Sequence, residues 1–267
     1  MGLISLIEWI LEVFLNHQMR KSRKRRGTGQ PNWNQLMMKA YSSGDYQNAL
    51  AICDVGASCG IPMGVFRGNL LMQLGRLDEA EQTLSQALAL ETEPKSTALA
   101  NCALGELLRL QQRYDKALEC FMLALRLWPE RGGTYRDIAE VGLRRGDNPA
   151  EVLRWAHLAV QKEKASQGIV PVTRVMSLGA ELATLAWAVA ITSRDTHEVE
   201  RLVTEADSFG AGIPVSSTAQ VHYYSGMAYA MLGDEAKRAQ HFEAAARVDP
   251  NGAWGREAQK LVAVACR

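Results

Sequence analysis

Apolar residues recur along most of this chain at intervals of three and four, the period of a helix with one face turned inward. In LANCALGELLRL, residues 99–110, Leu104, Leu108 and Leu110 fall on one stripe. After a polar break, Ala117, Phe121 and Ala124 form a second stripe, and Pro129 stops that helix. Two stripes that face each other across a short turn predict a helical hairpin. The same arrangement recurs, with turns at Gly44, Gly75, Gln112, Gly146, Arg194 and Gly233, spaced 31, 37, 34, 48 and 39 residues apart. The long fourth interval predicts an insertion near KASQGIVPVT. No hairpin of this size can hide its apolar face alone, so neighbours must stack to make a continuous core.

The signature residues repeat with the turns. Residues 98–130 carry Leu104-Gly105, Leu108, Tyr114, Ala117, Phe121, Ala124 and Pro129. The stretch from Trp33 has Leu36, Gly44-Asp45, Tyr46 and Ala49, with Met37 at a position that favours Gly. The second hairpin has Gly68, Leu71, Leu74-Gly75, Leu77, Ala80, Leu84 and Ala87. Near the end stand Gly226, Tyr229, Leu232-Gly233, Phe242, Ala245 and Pro250. This series resembles the tetratricopeptide repeat, whose 34-residue unit runs W-x-x-L-G-x-x-Y, A-x-x-x-F, A and P. Residues 130–215 keep the period but few signature residues. The resemblance implies an all-α fold, a right-handed α-solenoid of about six helix pairs over residues 33–267, closed by a C-terminal capping helix, WGREAQKLVAVAC. It also implies a protein-holding function.

In such arrays the first helix of each pair lines the concave wall. The inward positions would be Asn34, Met38, Tyr41, Val65, Asn69, Met72, Gln73, Cys102, Glu106 and Arg109, with Tyr223, Met227 and Met231 further on. Soft methionines suit a groove for a partner's amphipathic helix or extended peptide. Val65 and Glu106 disfavour the subfamily that grips acidic chaperone tails through basic residues.

The first 26 residues obey different rules. On a helix, Ser5, Glu8, Glu12 and Asn16 make one polar stripe, while Leu3, Ile7, Trp9, Ile10, Leu11 and Phe14 sit among the apolar remainder. The apolar run is about 15 residues, short of the ~20 a bilayer crossing needs, and each acid at mid-membrane costs about 2.5–3.5 kcal/mol. Lying in the interface avoids that cost. Arg20, Lys21, Arg23, Lys24, Arg25 and Arg26 then meet anionic headgroups, at ~1 kcal/mol per charge. The expectation is a leader bound to the surface of the cytoplasmic side of a membrane, with residues 27–32 as a tether. A spanning leader, in an assembly factor of a membrane complex, and a protein-bound leader, in a soluble co-chaperone or adaptor, are the alternatives.

Charge and chemistry narrow the function. The net charge is +1, but the six basic residues of the leader leave the rest at −5, an acidic body that argues against nucleic acid as a partner. The five cysteines include no C-x-x-C pair and read as small core residues. His17, His157, His197, His222 and His241 have no metal-binding spacing. No nucleophile elbow, phosphate loop or dinucleotide fingerprint occurs. The expected function is therefore a non-catalytic scaffold or adaptor, with no catalytic, metal or cofactor residues.

Overall fold

The computed structural model describes residues 33–165, 171–209 and 214–265. The leader and tether, residues 1–32, lie outside the described residues, and so do the membrane contacts expected from Leu3 to Arg26. Thirteen helices and no strand occur among the described residues. They pair as α1 (Trp33–Ser42) with α2 (Tyr46–Ser58), α3 (Gly64–Gln73) with α4 (Leu77–Leu90), and α5 (Pro94–Leu110) with α6 (Tyr114–Leu127). The series continues with α7 (Gly132–Arg145) and α8 (Pro149–Ala165), α9 (Pro171–Thr192) and α10 (Thr196–Asp207), and α11 (Val215–Leu232) and α12 (Glu235–Val248). A single helix, α13 (Ala253–Ala265), comes last. The fold is an all-α solenoid of six hairpins and a terminal helix.

The six turns have a common chemistry. Gly44, Gly75, Gln112, Gly146, Arg194 and Gly233 all have positive φ, between 54° and 81°. A left-handed residue ends the first helix of a pair by redirecting the chain. The next residue often starts the second helix: Asp45, Asp195 and Asp234 each accept a backbone N–H, from Asn48, Glu198 and Lys237, satisfying a donor that the first turn leaves free. The 48-residue interval is absorbed by α8 and α9, which reach 17 and 22 residues.

Within a hairpin, a glycine lets the two helices touch. A Cβ on Gly105 would lie 2.6 Å from the Phe121 ring, on Gly226 2.6 Å from Phe242, and on Gly68 2.4 Å from Leu84. Each pair is separated by sixteen positions across the turn, so the motif sets the depth at which every one of these hairpins packs. Leu36 departs from expectation: it is 44% exposed, while Met37 is fully buried, because the apolar face of α1 is rotated by one position.

The array closes on itself. The hydroxyls of Tyr41 and Ser216, from the first and last hairpins, are 3.2 Å apart. Tyr46 Oη donates to Asp249 at 2.7 Å. Ala253 N donates to Gln73 Oε1 at 2.8 Å, and the Arg256 guanidinium reaches the carbonyl oxygens of Met72, at 3.1 Å, and of Gln73. No described helix is long and apolar enough to cross a membrane.

Candidate functional site

Arg109 of α5 lies at the centre of an ion network that joins the first helices of the third and fourth hairpins to α13. Its guanidinium is buried, at 3.0 and 2.8 Å from the two oxygens of Glu106, 3.3 Å from Glu140 and 3.5 Å from Glu257. The indole of Trp254 lies beneath it, 4.5 Å from ring centroid to guanidinium carbon, a cation–π contact strengthened by the burial of both groups. Arg144 of α7 binds Glu140 at 2.7 Å and Glu257 at 3.0 Å. Tyr224 donates to the other Glu140 oxygen at 2.6 Å.

These contacts set the ionisation of the wall. Burial disfavours a charged Glu140, but the Arg109 and Arg144 guanidiniums outweigh it and hold the carboxyl below the usual range. At Glu106 burial wins over Arg109 and the carboxyl is pushed up. Glu181, fully buried on α9 with Arg136 3.6 Å away, is pushed up to about 7. Arg109, Glu140 and Glu181 of this group are fully or almost fully buried. Arg109, Arg144 and Glu140 hold their charges by mutual pairing.

The residues expected to line the groove fall in different surroundings. Tyr41, Gln73, Glu106 and Arg109 lie near one another, and the segment 249–257 meets Gln73 and Arg109 directly. Met38, Val65 and Met72 pack in the apolar core of the first hairpins, Met72 and Val65 buried and Met38 half-buried. Met72 reaches the terminal segment through its backbone carbonyl. Cys102 is buried beside Arg131 and Thr134. Asn69 is fully buried, and neither its Nδ2 nor its Oδ1 has a hydrogen-bond partner. The side chain of Asn34 lies outside the described residues. Further along, Tyr223 is buried against Trp254, Met227 is half-buried and Met231 is 37% exposed.

Glu140, Arg144, Trp254 and Glu257 complete the network around Arg109 and lie outside the positions expected to line the groove. The first two carry a sequence signal, a Glu and an Arg four apart on the first helix of one of the two weaker repeats. The last two carry none, because their helix reads as an outer cap. It is a cap, but its first turn points inward.

Burial disfavours the thiolate at three cysteines. Burial pushes the Cys53 thiol up to about 12 and raises Cys102 and Cys120. Cys59 is exposed rather than part of the core.

Residues 65–130 match the family model of the tetratricopeptide repeat. No curated protein matches the sequence significantly. Among solved structures, the chain is similar to YrrB, described as a TPR protein with an unusual peptide-binding site (18% identity, 74% of this chain and 90% of that one, TM-score 0.40). It is also similar to BtubC from P. vanneervenii (16% identity, 82% and 91%, TM-score 0.49). A third likeness is to the Naa15/Naa10 structure bound to HypK-THB (17% identity, 82% and 33%, TM-score 0.41).

Proposed function

We propose that this chain, an array of helical hairpins whose residues 65–130 match the tetratricopeptide-repeat model, is a scaffold that seats a protein segment on its inner wall while residues 1–26 hold it at the cytoplasmic face of a membrane. Proteins built from these repeats are generally non-catalytic binders of other proteins. The observation that carries the reading is that the wall already accommodates a protein segment, the chain's own residues 249–257. Three recognition elements operate there. Gln73 reads a backbone N–H, Arg109 receives an aromatic ring, and Arg109 with Arg144 receives a carboxylate three residues later. A partner that presents an aromatic residue and then an acid at the third position beyond it would satisfy the same groups, in competition with Trp254 and Glu257.

A labelled peptide of residues 249–265, offered to a chain ending at residue 248, tests the seat. Saturable binding is expected, lost when the peptide carries Trp254→Ala with Glu257→Lys. A truncated chain that keeps its helical circular dichroism but ignores the peptide would refute the groove. The tether rests on the leader's broad apolar face and the six basic residues after it, which favour anionic lipid surfaces. The full chain should float with anionic vesicles and lose that behaviour on removal of residues 1–26. A full chain that stays with the soluble fraction excludes the tether.

A further inference from the structure

Three side chains far apart in sequence meet on the last two hairpins. Asp207 ends α10, His222 lies on α11 and His241 on α12. His222 Nδ1 is 3.3 Å from His241 Nδ1 and 3.5 Å from Asp207 Oδ1, and one ligand atom from each residue lies within 4.8 Å of both others. Two bonds of about 2.0–2.1 Å at a tetrahedral centre hold their donor atoms about 3.3 Å apart. The separations on His222 are thus close to those of ligands that share one ion.

A plain hydrogen bond accounts for the geometry less well. Two neutral imidazoles that meet Nδ1 to Nδ1 make one hydrogen bond at most, and 3.3 Å is longer than such bonds usually are. That arrangement leaves the carboxylate with no strong donor from the pair. A divalent cation serves all three groups at once. The surroundings also position the ligands: the Tyr229 ring stacks on His241 at 5.4 Å between centroids, with the planes 25° apart. Asp207 is the last residue of α10, where unpaired carbonyls favour a cation. Lys237 and Arg247 lie near the histidines and oppose a bound cation. Lys237 is turned away to Glu200, at 2.8 Å.

We propose that Asp207, His222 and His241 form a zinc site that joins α10, α11 and α12, with a fourth position open to water. Two imidazoles and one carboxylate suit borderline zinc rather than magnesium or calcium, which take oxygen ligands. His241 is nearly buried, while the side chains of His222 and Asp207 are 22% and 37% exposed, leaving one side accessible. The ion would clamp the last two hairpins together. The same α11 carries Tyr223 and Tyr224, against which Trp254 packs at 5.4 and 5.1 Å, so the clamp would brace the hairpin that supports the terminal segment.

The full-length protein, stripped by chelator and dialysed against zinc, should take up one ion per chain and unfold at a higher temperature. Cobalt in its place should give the strong visible absorption of a four-coordinate site. His222→Ala and Asp207→Asn should each weaken zinc binding at least tenfold, while Cys59→Ser leaves it unchanged. Asp207 is the most exposed ligand, so Asp207→Asn decides the matter if the histidine variant fails to fold. Absence of uptake at micromolar zinc, or uptake indifferent to Asp207→Asn, would overturn the site.

Discussion

Glu181 brings a carboxyl into a fully buried position in α9, with the Arg136 guanidinium 3.6 Å away. Burial raises its pKa to about 7, against ~4.3 for an exposed glutamate. The sign of the consequence comes from proton counting. Between these two values the unfolded chain releases a proton that the folded chain keeps, so stability falls as pH rises through that window and is level above it. Glu181→Gln removes this dependence. Urea unfolding at pH 5 and pH 8 should show the parent losing more stability than the variant over that interval. Equal losses would mean that Glu181 is not held protonated by burial. Sequence alone offers no hint of this group, since a single Glu in an apolar helix reads equally well as a surface position. The turn residues are easier. Gln112 and Arg194 hold φ of 60° and 54° where the other four turns use glycine, and the repeat spacing locates them without any glycine to mark them.

At the scale of the element, the hairpin is the unit that the sequence specifies most fully. The turn, the start of the second helix, and the glycine beneath Phe121 or its counterpart all come from the same thirty-odd residues, and they agree. Gly105→Ala tests the packing step. Its methyl group would enter the space of a buried ring, 2.6 Å from the nearest ring carbon, and overpacking of this kind costs about 1–3 kcal/mol. The midpoint of chemical unfolding should fall accordingly, and Phe121→Leu added to Gly105→Ala should recover part of the loss. An unchanged midpoint would show that the two helices have room to separate. The fourth and fifth hairpins, poor in signature residues, fold in the same way because the spacing of apolar residues, rather than the motif, supplies the buried face. Their unusual residues instead contribute the ion network: Arg136, Asp137, Glu140 and Arg144 all lie on α7.

At the scale of the molecule, closure depends on Trp254. It is 2% exposed, and it packs between Arg109 and the tyrosines of α11. Trp254→Ala should cost about 3–5 kcal/mol and loosen the seat. Hydrogen exchange should then quicken through α1, α3 and α13 more than through α8 and α10, and the radius of gyration from solution scattering should grow. Uniform exchange across the array would mean that Trp254 supports the core in general rather than the contact between the ends. The sequence by itself determined the helices, the six turns and their pairing, since all of these arise from periodicity and turn chemistry within about forty residues. Only the tertiary structure decided what lies inside the array. The curvature that brings Tyr41 to Ser216 and Gln73 to Ala253 is a sum of small rotations between successive hairpins. No local pattern records that sum, nor the meeting of Asp207, His222 and His241 that the same stacking produces.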